Sequence, residues 1–166
     1  MSRILFRKLI LFLAIVVTIT LVVVIRFWGA EFGPSLLIEH MAPGFICDNS
    51  WRRSIASDPT AHGYSAYGVL QERKSRAAIT EATRDLQSSD PYVWFNAALY
   101  LGDLGVPSAV PYLIKGLRHP AYRSHSEVAA LLQTLTGQSF GTDFQAWKTW
   151  WESQNSNDSF NFKIET

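Results

Sequence analysis

Three segments of the chain resemble one another at an interval of 31 to 32 residues. SDPTAHGYSAYGVL from Ser57 and SDPYVWFNAALYLG from Ser89 begin with the same triplet, and NAALYLGDLG from Asn96 matches VAALLQTLTG from Val128. AITEATRDL from Ala78 and AVPYLIKGL, 31 residues further on, lie between these segments. An interval of this length with two helical patterns in each copy is typical of stacked helix pairs. We therefore predict an all-α domain of about three helix pairs, a short α-solenoid.

Local helix signals support this prediction. Asp58-Pro59 and Asp90-Pro91 each place an acidic residue before a proline, which favours a helix start because proline loses nothing at the first helical position. The second helix then carries an apolar stripe: Val93, Ala97, Ala98, Leu101 and Leu104. Helix ends are predicted at three glycines: Gly102, Gly105 and Gly137.

The alternation of AVPYLIKGL with AALYLG-type helices resembles the HEAT-like repeats of the phycobilisome-lyase type, which have an armadillo-type fold. The terminal LTGQSFGTDFQAWKTWW is similar to the end of HEAT-like domains in many bacterial proteins. The resemblance covers residues 50–152. It implies a solenoid that binds protein partners, and it indicates no catalytic residue, since the family contains adaptors, regulators and scaffolds as well as bilin lyases.

The carboxyl-terminal segment predicts a capping helix. Thr142 and Gln145 have the spacing of a capping box, and the helix after them carries four aromatic residues: Phe144, Trp147, Trp150 and Trp151. These rings would cover the end of the solenoid. The alternative, a stacking platform for bases, needs a basic surface, which this body lacks. We expect residues 153–166 to form a polar, disordered tail.

The amino terminus contains an uncharged run of 17 residues, Leu9 to Ile25. Residues 4–25 together are long enough to cross a bilayer as a helix, with Arg7 and Lys8 reaching the head groups. A cleaved signal peptide shares these features, but RFWGAEF offers no clear small-x-small cleavage site. We therefore predict a membrane anchor over residues 1–28 and a juxtamembrane linker over 29–49, with one short helix.

The basic residues around this segment predict its orientation. Arg3, Arg7 and Lys8 precede it and only Arg26 follows it, so the positive-inside rule keeps the amino terminus in the cytoplasm. The body then lies outside the cytoplasm, in a bacterium in the periplasm, on the inner membrane. The first 30 residues carry four basic and no acidic side chains, which leaves a net charge of about −3 elsewhere. Such a body argues against nucleic-acid binding.

The first two repeats are rich in aromatic residues. We predict that some of these rings pack between repeats, and that Tyr64, Tyr92, Phe95 and Asn96 form a protein-binding surface. Charged residues of mixed sign in the helix between them are interpreted as a solvated face: Glu72, Arg73, Lys74, Arg76, Glu81, Arg84 and Asp85.

Motifs of catalysis or metal binding are not found. The sequence has no GxSxG, GxxxxGK[ST], HExxH or CxxC pattern, and its single cysteine, Cys47, excludes an intrachain disulfide. The four histidines have no metal-ligand spacing. We therefore predict no metal, cofactor or nucleic acid as partner.

Three functions are compatible with these patterns. The first is a non-enzymatic interaction or assembly module on a single-pass anchor, binding membrane-associated proteins. The second is an accessory subunit held in a larger membrane complex by its transmembrane helix. The third is a lyase-type enzyme, which only the family resemblance suggests.

Overall fold

The computed structural model describes residues 3–28, 35–58, 63–119, 125–155, 160 and 162, and every regular element in these ranges is helical. The first helix, α1, runs from Arg3 to Trp28. Eight more α-helices follow: α2 Ser35–Met41, α3 Asp48–Ser57, α4 Gly63–Glu72, α5 Ile79–Asp85, α6 Pro91–Asp103, α7 Val110–Gly116, α8 His125–Thr136 and α9 Phe144–Gln154. A 3-10 turn, Pro107–Ala109, precedes α7. The prediction of an all-α chain is confirmed.

Helix α6 lies at the centre of the packed body. It contacts α4, α5, α7 and α8, and nine of its 13 residues are buried. Four residues of the predicted stripe are among them, whereas Leu104 is half-buried. Because α6 is surrounded by four helices, it buries more than one face.

The ends of α6 form as the sequence predicts at Asp90 and Gly105. The Asp90 carboxylate accepts hydrogen bonds from the backbone N–H groups of Tyr92 and Val93, with Pro91 at the first helical position. At the other end, Gly105 takes a φ of +74° and the Val106 N–H donates to Leu101 O at 2.9 Å. This is a Schellman arrangement, in which a left-handed residue lets the chain return to its own last turn.

Two other predicted helix ends differ from the structure. Gly102 lies inside α6, where a Cβ atom would come within 2.9 Å of Leu113 Cδ1, so its role is close packing on α7. Asp58 follows α3, and its N–H bonds back to Ser54 O. The helix start predicted at Pro59 lies outside the described residues. Gly137, with a φ of +72°, ends α8 as predicted.

Packing between the helices follows their order along the chain. From α3 onward, helices in substantial contact are no more than two positions apart: α3 with α4 and α5, α4 with α6, α5 with α6, α6 with α7 and α8, and α7 with α8 and α9. The core contains Trp51, Tyr67, Tyr100 and Trp147 as its largest fully buried rings. Tyr100 connects α6 to the segment between α4 and α5, since its hydroxyl donates to Ser75 O at 2.6 Å and accepts from the Ala78 N–H.

The predicted linker contributes to this body. Residues 29–34 lie outside the described part, but α2 is the short helix that the sequence predicts. Ile46 is completely buried and Glu39 is 7% exposed. The packed body therefore begins before the predicted boundary at residue 50.

Helix α1 contains an apolar stretch, Arg7–Phe27, that is long and apolar enough to span a membrane. At 1.5 Å per residue its 21 residues extend about 31 Å, close to the hydrocarbon thickness of a bilayer. None of this stretch is buried within the protein. An uncleaved anchor and a signal sequence share these properties.

Two helical glycines provide a matched test of the packing. A Cβ atom on Gly116 would lie 2.8 Å from Phe95 Cδ2, inside a filled core, whereas a Cβ atom on Gly68 in α4 would meet nothing within 4 Å. We expect Gly116→Ala to lower the free energy of unfolding by about 1–3 kcal/mol. Gly68→Ala should raise it by up to about 1 kcal/mol, because alanine is the better helix former. Denaturant unfolding followed by circular dichroism measures both, and equal effects would contradict this packing.

Candidate functional site

The carboxyl-terminal end of α1 is bound by α3. The Cys47 N–H donates to Arg26 O at 3.1 Å, and the Ser50 hydroxyl lies within hydrogen-bonding distance of Arg26 O and Phe27 O. The Arg53 guanidinium also donates to Phe27 O. The last four carbonyls of a helix have no partner within the helix, so donors from α3 satisfy two of them. The amino-terminal end of α3 also brings the positive end of its dipole to the negative end of α1.

A cleft of about 780 Å³ lies beside this junction. Its walls come from the end of α1, from α2 and the segment after it, from the start of α3 and from the end of α4. Ionisable side chains line it: Arg26, Glu39, His40, Asp48, Glu72 and Arg73. The cleft therefore adjoins the point where the apolar helix meets the packed body.

Arg73 organises one wall of the cleft. Its Nη1 donates to Asp48 Oδ1 at 2.7 Å and to Ile46 O at 2.8 Å, and its Nη2 pairs with the buried carboxylate of Glu39. Glu39 also accepts from the backbone N–H of Ile46. Burial alone would lower the pKa of Arg73, but its hydrogen bonds to Asp48 and Glu39 raise it above the ordinary value. The ion pair remains charged and links α2, α3 and α4.

The prediction of a solvated charged face holds for Glu72, Lys74, Arg76 and Arg84, which are exposed, and is wrong for the other three residues. Arg73 is one of these three, and the two others are also held in contacts: Asp85 is 4% exposed and accepts from the Tyr67 hydroxyl at 2.9 Å, and Glu81 pairs with Arg52 at 3.2 Å. Burial and the Asp85 charge raise the pKa of Tyr67 far above its ordinary value, so Tyr67 remains a donor. Sequence spacing within one helix does not report such partners on other helices.

The residues predicted to form a protein-binding surface differ in their exposure to solvent. Tyr92 is 48% exposed at the start of α6, and Asn96 is half-buried with its side-chain amide donating to Tyr92 O. Phe95 is 2% exposed, so its assignment to a surface is wrong. It is buried because α6 packs against neighbours on more than one side. The side chain of Tyr64 lies outside the described part of the chain.

A buried histidine, which the sequence analysis did not single out, lies beside Tyr92. The His119 ring stacks on Phe95 with centroids 5.1 Å apart and meets the Tyr92 and Trp94 rings edge-on at 5.3 and 5.9 Å. It is 2% exposed, and neither ring nitrogen has a hydrogen-bond partner among the residues that the structure describes. Burial, with a smaller effect of the nearby His125, lowers the pKa of His119. His119 is therefore neutral in the folded protein near pH 7.

The residues predicted to cap the repeat array lie on α9. Trp147 is fully buried, and its indole N–H donates to Gly141 O at 2.8 Å. Phe144, Trp150 and Trp151 are partly buried against the core. The helix start differs by one residue from the predicted capping box: Asp143 accepts from the N–H groups of Gln145 and Ala146, so the N-cap is not Thr142.

Two residues of the predicted disordered tail pack on the core. Phe162 is 6% exposed and lies 6.0 Å from the Phe144 ring, and Phe160 lies 4.8 Å from Tyr112. In the sequence SFNFK the two phenylalanines are two positions apart, the spacing at which side chains share one side of any extended segment. That spacing was the signal for their burial.

Cys47 is half-buried, with its Sγ 3.2 Å from Ser50 Oγ. Within the described ranges, no three His, Cys, Asp or Glu side chains form a group that could hold a metal ion. The site is a cleft lined by charged side chains, at the junction between α1 and the packed body.

The Arg73 network can be tested through stability. Arg73→Met would leave Glu39 buried without its cation, and we expect a loss of about 3–5 kcal/mol in the free energy of unfolding. Adding Glu39→Leu should restore part of the loss, because it removes the stranded charge. Arg76→Met is the control: Arg76 is exposed and makes only a 3.4 Å contact with Leu104 O, so the change should be below about 0.5 kcal/mol. Equal losses for Arg73→Met and Arg76→Met in chemical denaturation would contradict the network.

His119 predicts a pH dependence of stability. Its folded-state pKa lies below the ordinary value of 6.5, so the unfolded chain takes up the proton first as the pH falls. The stability contributed by neutral His119 should be complete above pH 6.5 and be lost as the pH falls from there towards the folded-state pKa. His119→Phe should flatten this part of the curve, whereas His40→Gln, at an exposed site, should leave it unchanged. Thermal melts across this pH range measure the change of stability with pH. If stability falls as steeply with pH in His119→Phe as in the unchanged protein, His119 is not the group responsible.

Comparisons with known proteins give no further guide to this site. No protein-family model, no curated protein and no solved structure matches the chain significantly. The functional interpretation therefore depends on the geometry of the junction, the cleft and the exposed surface.

Proposed function

We propose that this protein is a single-pass membrane protein that presents a short HEAT-like solenoid at the membrane surface as a non-enzymatic interaction or assembly module. The observation that carries the proposal is the contrast between α1 and the body. The apolar stretch of α1 is entirely unburied, yet two of its last carbonyls are bound by α3 and its N-cap residue Cys47, which belong to the packed domain. An apolar helix so exposed needs an apolar solvent, and its attachment keeps the domain beside that solvent.

The polar groups of α1 favour lipid as that solvent. Thr18 Oγ1 donates to Ala14 O and Thr20 Oγ1 donates to Val16 O, both at 2.9 Å. These hydroxyls are satisfied within the helix, so they do not require a partner helix. The observation favours an anchor in lipid over a subunit held in a complex by contacts of its transmembrane helix.

The order of the helix contacts supports the solenoid. Contacts limited to the next one or two helices are typical of repeat arrays, in which each unit packs only on its neighbours. In this proposal α4, α6 and α8 form one layer, and α3, α5, α7 and α9 form the other. Trp147 and its neighbours then cover the last repeat, and the basic residues at the amino-terminal end of α1 keep the body outside the cytoplasm.

The partner surface in this proposal includes Tyr92 and Asn96. Tyr92 is one of only three large apolar side chains more than a third exposed outside α1, within the ranges that the structure describes. Its ring rests on buried His119, so it is held in place. A rigid, exposed aromatic ring with a neighbouring amide is the kind of anchor that protein interfaces use.

A site-specific photo-crosslinker tests the module. We expect benzoylphenylalanine in place of Tyr92 to give a discrete adduct with one membrane-associated protein in intact cells, and the same probe at exposed Thr134 to give none. Tyr92→Ala should lower capture by a probe at Asn96 at least tenfold while the chain keeps its helical circular dichroism spectrum.

Two controls accompany this experiment. The chain should stay in the membrane fraction after alkaline carbonate washing, and a reporter fused after Thr166 should be active outside the cytoplasm. Release by carbonate would contradict the anchor. Indistinguishable adducts from Tyr92 and Thr134 would contradict the interaction surface.

A further inference from the structure

Helix α2 exposes apolar side chains that the packed body does not use. Outside α1, the large apolar side chains that are more than a third exposed in the described ranges are Leu37 at 64%, Met41 at 77% and Tyr92 at 48%. Two of the three lie on α2, four residues apart, and therefore on one face of the helix. The other side of α2 faces inward, because Ile38 packs against the core and Glu39 is buried.

The position of α2 relative to α1 indicates what covers this face. Glu39 and His40 line the same cleft as Arg26, near the carboxyl-terminal end of α1. The Arg26 guanidinium also lies 5.9 Å from the ring of Phe45, in the segment that follows α2. The apolar stretch of α1 ends at Phe27. The end of α2 is therefore near the level at which α1 would leave the hydrocarbon.

We infer that α2 is an interfacial helix, which lies on the bilayer with Leu37 and Met41 inserted at the boundary of head groups and acyl chains. Arg26 lies beside it at the depth where a guanidinium meets lipid phosphates. This inference rests on the proposed function, since α1 must cross the bilayer for α2 to reach it. The two helices together orient the domain relative to the bilayer. α1 holds the domain at the membrane, and α2 determines which side of the domain faces the lipid.

The inward contacts of α2 stabilise this orientation. Glu39 is held by Arg73, which directly follows α4, and by the Ile46 N–H, and Arg73 in turn holds Asp48 at the start of α3. α3 binds the end of α1. The lipid-facing side of α2 is thus connected to the membrane helix through hydrogen bonds and ion pairs, so the two membrane contacts move as one body.

Depth-dependent fluorescence quenching tests the inference on the full-length chain. Leu37→Cys and Met41→Cys are made separately in a Cys47→Ser background, labelled with an environment-sensitive dye and reconstituted into vesicles of phosphatidylethanolamine and phosphatidylglycerol. Thr83→Cys and Thr134→Cys, both at exposed positions far along the chain from α2, are the matched controls. Circular dichroism verifies that each labelled chain has the helical content of the unlabelled one.

We expect lipids with a shallow nitroxide to quench the dyes at 37 and 41 at least threefold more strongly than those at 83 and 134, with emission shifted to the blue. Equal quenching at all four sites in a chain that resists carbonate extraction would overturn the interfacial helix and leave the anchor intact. A blue shift at 37 and 41 without lipid quenching would indicate burial against protein, such as a second copy, and would also overturn it. Extraction by carbonate would instead show that the proposed anchor is wrong.

Discussion

A helix leaves its last carbonyl groups without partners in the helix, and in this protein α3 and its N-cap residue supply donors to two of those of α1. The backbone N–H of Cys47 and the side chains of Ser50 and Arg53 bind the carbonyls of Arg26 and Phe27. These donors belong to α3 and its N-cap residue Cys47, which are part of the packed body. The long apolar helix and the domain are thereby joined by direct contacts as well as by the chain between them. The cleft, the placement of α2 and the proposed orientation all depend on this junction.

The rest of the body is built around α6 and aromatic packing. Four helices surround α6, so its buried surface must accommodate large rings such as Trp94 and Phe95 together with small residues such as Gly102. Where rings crowd, Gly116 leaves space for Phe95. His119 fills the remaining space between rings with a polar side chain that has no hydrogen-bond partner in the described part of the chain. A buried group of this kind is costly unless it is neutral, so it makes this region of the core sensitive to acid.

Features encoded within one turn or one helix could be predicted from the sequence. The Asp90-Pro91 start, the Gly105 and Gly137 ends and the apolar α1 each depend on neighbouring residues, so the local pattern contains the necessary information. Burial of Phe95 depends on how many helices surround α6, which no single stripe reveals.

The ion pairs could not be predicted from the sequence for the same reason. Arg73 pairs with Glu39 and Asp48, which are 34 and 25 residues away in the sequence. The local spacing of charges therefore predicted that Arg73 faces solvent, although it is held by partners from other segments. The N-cap at Asp143 lies one position from the predicted Thr142, because two adjacent residues with capping side chains compete for one helix start. The exposed face of α2 could not be predicted from the sequence, since its inward direction is set by the packing of Ile38 on the core and by the ion pair of Glu39 with Arg73.

The central claim is that the domain is held rigidly on the end of α1. Pulsed electron–electron double resonance measures it directly, with nitroxide labels at Val24 in α1 and Thr83 in α5 of the full-length Cys47→Ser chain in lipid nanodiscs; both sites are exposed in the protein. A second pair of labels, at Thr83 and Thr134 within the body, gives the width of the distance distribution for two rigidly connected sites. We predict a single distance distribution for the 24–83 pair that is about as narrow as that of the second pair. A distribution several times broader would show a domain tethered by a flexible linker and would contradict the account.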